Sequence, residues 1–149
     1  MNSPYTQSLL LYAYQGSARA LVETLRARGH PAIRPKHGAV FANIDKQGTR
    51  PSVLAERAGI GKAAMGELID ELQRLGYVQR RPDPSDRRAK LVVPANAAVD
   101  VTNIVHEFNI NVEAAYRERL GEEAYQALRA ALQAIAPQNE MQPRLPPGT

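Results

Sequence analysis

Arg74, Arg80, Arg81, Arg87, Arg88 and Lys90 lie within one short stretch, opposed only by Asp83 and Asp86. Guanidinium and ammonium groups at this density offer one chemistry above others, the binding of phosphate oxygens on a polyanion. The formal net charge of the chain is +4, and this stretch alone carries an excess of that size. The positive charge is therefore concentrated. In isolation the same run reads equally well as a solvated hairpin tip, and only its setting separates the two readings.

Other groups offer less. Gly59-Ile60-Gly61-Lys62-Ala63-Ala64 matches a dinucleotide-binding fingerprint in letters. That motif needs a strand before it and a βαβ unit around it, whereas a helical pattern precedes it here. It is not a phosphate loop either, because Glu56 stands where the first glycine belongs and Ala63 where the hydroxyl residue belongs. His30, His37 and His106 are scattered, and His106-Glu107 has no second histidine at zinc-protease spacing. No metal site or resident cofactor is expected. Cysteine is absent, which excludes disulfides, thiolate metal sites and a cysteine redox switch. With no nucleophile–base pair and no carboxylate constellation, an enzyme is the least supported class.

The elements that must position the cations follow from periodicity and punctuation. Tyr5 to Arg28 reads as a helix with Leu10, Tyr14, Ala18, Leu21, Val22 and Leu25 on one face, stopped by Gly29. Pro35 opens a second helix that turns Val40, Phe41 and Ile44 inward and ends at Asp45-Lys46-Gln47-Gly48. Pro51 or Ser52 starts a third helix, with Val53, Leu54 and Ala58 on its buried side, and Gly59-Ile60-Gly61 makes a tight turn. The fourth runs from Lys62 to Leu75 with a Met65, Leu68, Ile69, Leu72, Leu75 stripe, and Gly76 closes it. The period then changes. Tyr77–Arg80 and Ala89–Val93 read as strands joined by an Arg81–Arg88 loop whose two prolines rule out ladder positions. A long helix follows Pro94, with Val101, Ile104, Val105, Phe108, Val112 and Tyr116 on one face. A last helix carries Tyr125, Leu128, Leu132 and Ile135, and a Pro-rich tail covers 137–149.

The fold class is thus mainly α with a small β-hairpin wing. Two helices, a glycine turn and a hairpin are the order of a winged helix-turn-helix, whose second helix enters a major groove. Placed after that pattern, the charged hairpin reads as a wing that reaches DNA phosphates or an adjacent narrow minor groove.

At this point the chain resembles the MarR family of winged helix-turn-helix transcriptional regulators, from about Tyr5 to Ile135. The specific stretches are Leu54-Ala55-Glu56-Arg57-Ala58-Gly59-Ile60, then Leu68 to Val78, then Arg80-Arg81 and Asp83-Pro84-Ser85-Asp86-Arg87-Arg88. Asp86 and Arg88 match the Asp-x-Arg of the family's wing tip. The resemblance implies a cytoplasmic homodimer bound to pseudo-palindromic double-stranded DNA. Residues 1–34 and 95–136 would form the helical dimerisation region and 35–94 the DNA-binding domain. It also implies that the fourth helix reads the major groove, that Arg88 enters the minor groove and that Asp86 holds the wing by a salt bridge. The DNA-binding candidates are Lys62, Ala63, Ala64, Glu67, Arg74, Arg80, Arg81, Asp86, Arg87, Arg88 and Lys90. A small aromatic or phenolic effector is implied between the two regions, with Tyr12, His37 and Phe41 as candidates for its pocket. The plainer reading makes His37 a capping or packing residue, and Tyr12, Tyr14 and Tyr116 core or interface aromatics.

One departure stands out. Where many relatives carry Ser, Thr or Gln, the leading end of the fourth helix reads Gly61-Lys62-Ala63-Ala64-Met65-Gly66-Glu67. That thin polar content keeps a second reading open, a winged-helix module that works through protein contacts. No run approaches the length and apolarity of a membrane span, and Met1-Asn2-Ser3-Pro4 does not open a secretory leader, so the expectation is a soluble, cytoplasmic protein without a membrane partner.

Overall fold

A computed structural model describes residues 3–137, so all but the first residue of the Pro-rich tail lies outside the described residues. The order of elements is α1 (Thr6–Ala27), a 3₁₀ turn (Pro35–His37), α2 (Gly38–Phe41), α3 (Pro51–Ala58), α4 (Lys62–Arg74), β1 (Val78–Asp83), β2 (Asp86–Pro94), α5 (Asn96–Leu120) and α6 (Glu122–Ile135). This is the mainly α winged helix-turn-helix that the sequence pattern predicts.

Proline and glycine set the boundaries. Pro51 at the first turn of α3 loses no helical hydrogen bond, and Gly59 closes that helix at φ +66°, a left-handed conformation that glycine adopts without steric cost. Gly48 has a second reason to be glycine: at φ +105°, a Cβ there would lie 2.9 Å from Val93 Cγ2 and 3.0 Å from Leu91 Cβ. That close approach lets Thr49 pair with Val92 in both directions, each N–H donating to the other's carbonyl at 2.9 Å. The hairpin is thereby tied to the segment that leads into α3.

The core sits where α2, α3, α4 and the base of the hairpin meet. Val40, Leu54, Met65, Ile69, Leu72 and Val92 are fully enclosed, with Val78 and the α5 residues Ala98, Val101 and Ile104 closing it. Three expectations change. The second helix stops at Phe41, well before Asp45: Ala42 and Asn43 form a closing turn, and the Asn43 and Ile44 N–H groups both donate to the Val40 carbonyl. Leu75, placed on the inner stripe of the fourth helix, caps it and is exposed. The Arg81–Arg88 loop is largely strand: Arg81 pairs with Leu91, Pro82 with Lys90 and Asp83 with Asp86, leaving Pro84-Ser85 as the turn. In a two-stranded ribbon each strand has a free edge, where proline breaks no ladder bond.

Candidate nucleic-acid interface

The outward face of α4 begins at Gly61, which provides no side-chain cap, so the first-turn N–H groups have no acceptor from that residue. Met65, Ile69 and Leu72 anchor the inner face, while Lys62, Ala63, Ala64, Glu67 and Arg74 stand exposed. Of the other acids on this helix, Asp70 accepts from Arg80 Nη2 at 2.7 Å and Glu71 from Lys36 Nζ at 2.6 Å. Arg80 also donates to Gln73. Its guanidinium therefore braces β1 against α4 and is not free at the tip.

The wing is held chiefly by Asp83, a residue to which the sequence assigned no role of its own. Asp83 is 7% exposed and accepts from four donors: Arg50 Nε at 2.8 Å, Arg50 Nη2 at 2.6 Å, the Ser85 N–H at 2.9 Å and the Ser85 hydroxyl at 2.7 Å. The Ser85 hydroxyl, the Ser85 amide and Arg50 together hold its pKa down to about 2. Asp86, expected to be the salt-bridge residue, forms a longer ion pair with Arg50, 4.0 Å from Nη2, and also accepts the Arg88 N–H at 3.0 Å, which shapes the turn. The Asp-x-Ser spacing of Asp83 and Ser85 signals such a local turn. Arg50 lies 33 residues away and carries no sequence signal.

With both carboxylates occupied, the tip is positive. Arg87, Arg88 and Lys90 are exposed, and no acidic side chain pairs with them among the described residues. Among the described residues Arg81 reaches Gln79 Oε1, at 3.1 Å, and no acid. Positive groups held out by a rigid turn, beside an uncapped helix start, make a surface suited to phosphate.

Behind this surface, a cavity of about 560 Å³ opens between α1, the 35–42 segment and α5. Its walls are mostly apolar, among them Leu21, Leu25, Phe41, Val101 and Phe108, with polar groups from Tyr14, Ser17, Arg34, Thr102 and Asn109. Phe41 is on this wall. Tyr12 is not: it is 61% exposed on the outer side of α1. His37 is not on it either, because it is fully enclosed and accepts the Arg34 N–H on Nδ1 at 2.9 Å, the capping role. Burial lowers the His37 pKa, leaving the ring neutral near pH 7 with its proton on Nε2, 3.4 Å from Glu71 Oε2.

A second polar joint escapes sequence reasoning. His30 bonds Tyr77 Oη through Nδ1 at 2.8 Å and Asp100 Oδ2 through Nε2 at 2.7 Å, so the end of α1, the base of the wing and α5 meet at one imidazole. Its members are 47 and 70 residues from His30, and no local pattern links them. Burial, aided by the Asp100 charge, raises the Tyr77 pKa. Among the described residues no cluster of His, Asp and Glu has metal-binding geometry, and no helix is long and apolar enough to cross a membrane.

Residues 33–89 match the model of the MarR family. The HTH-type transcriptional regulator YcgE of Bacillus subtilis is 38% identical over 45 residues, 30% of this chain and 29% of that protein. The transcriptional regulator HosA of Escherichia coli O111:H- is 32% identical over 59 residues, 40% of this chain and 44% of that protein. The aligned segments thus span less than half the length of either relative. In three dimensions the chain is similar to FabT of Streptococcus pneumoniae solved in complex with DNA, with a TM-score of 0.75 at 14% identity over 87% of this chain and 91% of that one. This last likeness is one of fold.

Proposed function

Residues 33–89 make this chain a member of the MarR family, and from that premise we propose that it is a transcriptional regulator that binds pseudo-palindromic double-stranded DNA as a homodimer. The observation that carries the reading is the unpaired charge of the wing tip. Arg87, Arg88 and Lys90 project from a turn locked by Asp83 and Arg50, a geometry with no use inside the chain. In this reading α4 enters the major groove, with Lys62, Ala63, Ala64 and Glu67 at the bases and Arg74 toward the backbone. Arg81, Arg87 and Lys90 meet phosphates, Arg88 enters the minor groove, and Arg80 and Asp86 act as supports.

The division into regions is part of the proposal. Residues 35–94 form the DNA-binding unit; residues 1–34 and 95–136 form the dimerisation arm. Support comes from the apolar residues that α1, α5 and α6 leave in the open, among them Leu9, Leu11, Ile110, Leu128 and Ile135. Two-fold pairing places two copies of α4 one helical turn of DNA apart, about 34–36 Å. The cavity fits a small aromatic or phenolic effector by its size and apolar walls. It lies between arm and reading unit, so an occupant would bias their relative placement. The small front of α4 favours one rival, a protein-binding winged helix that has no need of Arg88.

Anisotropy titration of the dimer against the DNA flanking its own coding region, at two salt concentrations, tests the reading. Affinity should fall as salt rises. Arg88→Ala should weaken binding about tenfold and reduce the salt slope by about one. Wild-type protein that binds no duplex, or an Arg88→Ala variant that binds as wild type, would sink the proposal.

A further inference from the structure

We propose that Glu67 is the residue that selects the base sequence, by accepting a hydrogen bond from the exocyclic amino group of a cytosine in each half-site; this rests on the DNA-binding reading above. Glu67 is two residues from both Met65 and Ile69, about 200° around the helix from each of these buried anchors. It therefore points directly away from the core, on the face that would enter the groove. Its helical neighbours at three- and four-residue steps are Ala63, Ala64, Asp70 and Glu71, none of them a cation. Asp70 is neutralised by Arg80 and Glu71 by Lys36. Among the described residues Glu67 is thus the carboxylate on α4 that no cation meets.

A bare carboxylate on a surface that approaches a polyanion repels it, unless a donor waits at the contact. Glutamate ionised at neutral pH only accepts hydrogen bonds. In the major groove guanine presents two acceptors, and thymine an acceptor and a methyl. Adenine presents its amino group beside the N7 acceptor, whose lone pair faces the second carboxylate oxygen. Cytosine alone offers an amino donor without an adjacent acceptor on the same base. A carboxylate therefore penalises three bases and accepts one, so a single side chain can discriminate strongly on a helix otherwise poor in polar groups. The residues around it assist. Ala63, Ala64 and Gly66 end in a methyl group or a hydrogen, so no longer side chain on that front holds the carboxylate off the base edges.

Selection of binding sites from a randomised duplex pool, with full-length wild type, Glu67→Gln and Glu67→Ala in parallel, tests the assignment. Wild type should enrich one cytosine per half-site, symmetrically placed. Glu67→Gln should move that position to adenine, which glutamine can bond through N6 and N7 together, and should bind the cytosine site about tenfold more weakly. Glu67→Ala should flatten preference at that position alone. Unfolding curves should match wild type, because the side chain is exposed. Unchanged base preference with tighter binding of every duplex by Glu67→Ala would reduce Glu67 to a repulsive charge and overturn the inference. Wild type that binds DNA without enriching a cytosine would also overturn it. Wild type that binds no duplex at all would instead bring down the DNA-binding reading, and this inference with it.

Discussion

The three long helices are richer in apolar residues than the segment from α2 to β2 that they surround, yet they bury fewer of them. In the inner segment the large apolar side chains turn inward: Val40, Leu54, Met65, Ile69, Leu72 and Val92 are sealed from solvent. In the outer helices they stay outside. Across its whole length α1 buries Leu25 alone, α6 buries Tyr125 alone, and α5 buries three residues near its start. Leu128 and Leu132 stand one turn apart on α6 and are both more than a third exposed. The inner segment finishes its core within one chain, while the outer helices, although α1 and α6 both pack on α5, leave apolar side chains that nothing covers among the described residues. An apolar stripe left in water is a demand for another surface.

That contrast breaks most readily at α6. Leu128→Glu combined with Leu132→Glu puts two charges on the face assigned to dimerisation without touching the monomer core. Light scattering should show the mass fall to that of one chain at micromolar concentration. DNA affinity should drop at least about 100-fold, because the two half-sites are then bound separately. Far-UV circular dichroism should keep its helical signature. A dimer that survives both charges would move the interface elsewhere and leave the exposed α6 stripe unexplained.

The inner segment predicts the opposite behaviour, a cost independent of protein concentration. Gly48→Ala must place a Cβ against Val93 and Leu91 at a backbone φ of +105°. The expected loss is about 1–3 kcal/mol of unfolding free energy, with the dimer constant unchanged. Denaturant titrations at two protein concentrations would read both. A neutral result would mean that the Thr49–Val92 bridge tolerates movement, and that the wing is less firmly tied to the core than the geometry indicates.

The same contrast governs what the sequence discloses. Local rules placed the helix starts and stops at Pro51, Gly59 and Gly76, and the outward charge of the hairpin tip, because each depends on a few consecutive residues. Periodicity disclosed that Leu10 and Tyr14 share a face with Leu25, but not that solvent meets the first two and core the third. A stripe shows its own side of a contact and not what covers it. The Arg50–Asp83 lock and the His30–Tyr77–Asp100 joint stayed hidden for another reason. Each joins segments tens of residues apart, and its members look like ordinary surface residues until the chain is folded. Pro82 reads as a loop residue because the ladder rule supposes a strand paired on both sides, whereas β1 pairs on one side only.

The smallest expected effect lies within the wing itself and separates order from stability. Ser85 and Arg50 hold the Asp83 carboxyl at about 2, below its ordinary 3.8, so its charged form is favoured in the folded chain. The stabilisation from this group is fully present above the ordinary value and is lost as pH falls through about 2. Across the range where DNA is usually titrated, roughly pH 5 to 8, the lock should therefore add no pH dependence. Asp83→Asn keeps the side-chain volume but removes the charge that faces Arg50. Because the hairpin tip packs against little else, the midpoint of global unfolding should move by only a degree or two. The wing should respond more: faster amide exchange at Ser85 and Arg88, and DNA binding weakened about threefold to tenfold with an undiminished salt slope, since every phosphate-facing cation remains. A slope that falls as far in Asp83→Asn as in Arg88→Ala would mean that the lock does not merely aim the cations, and that Arg50 or the turn backbone itself meets the nucleic acid.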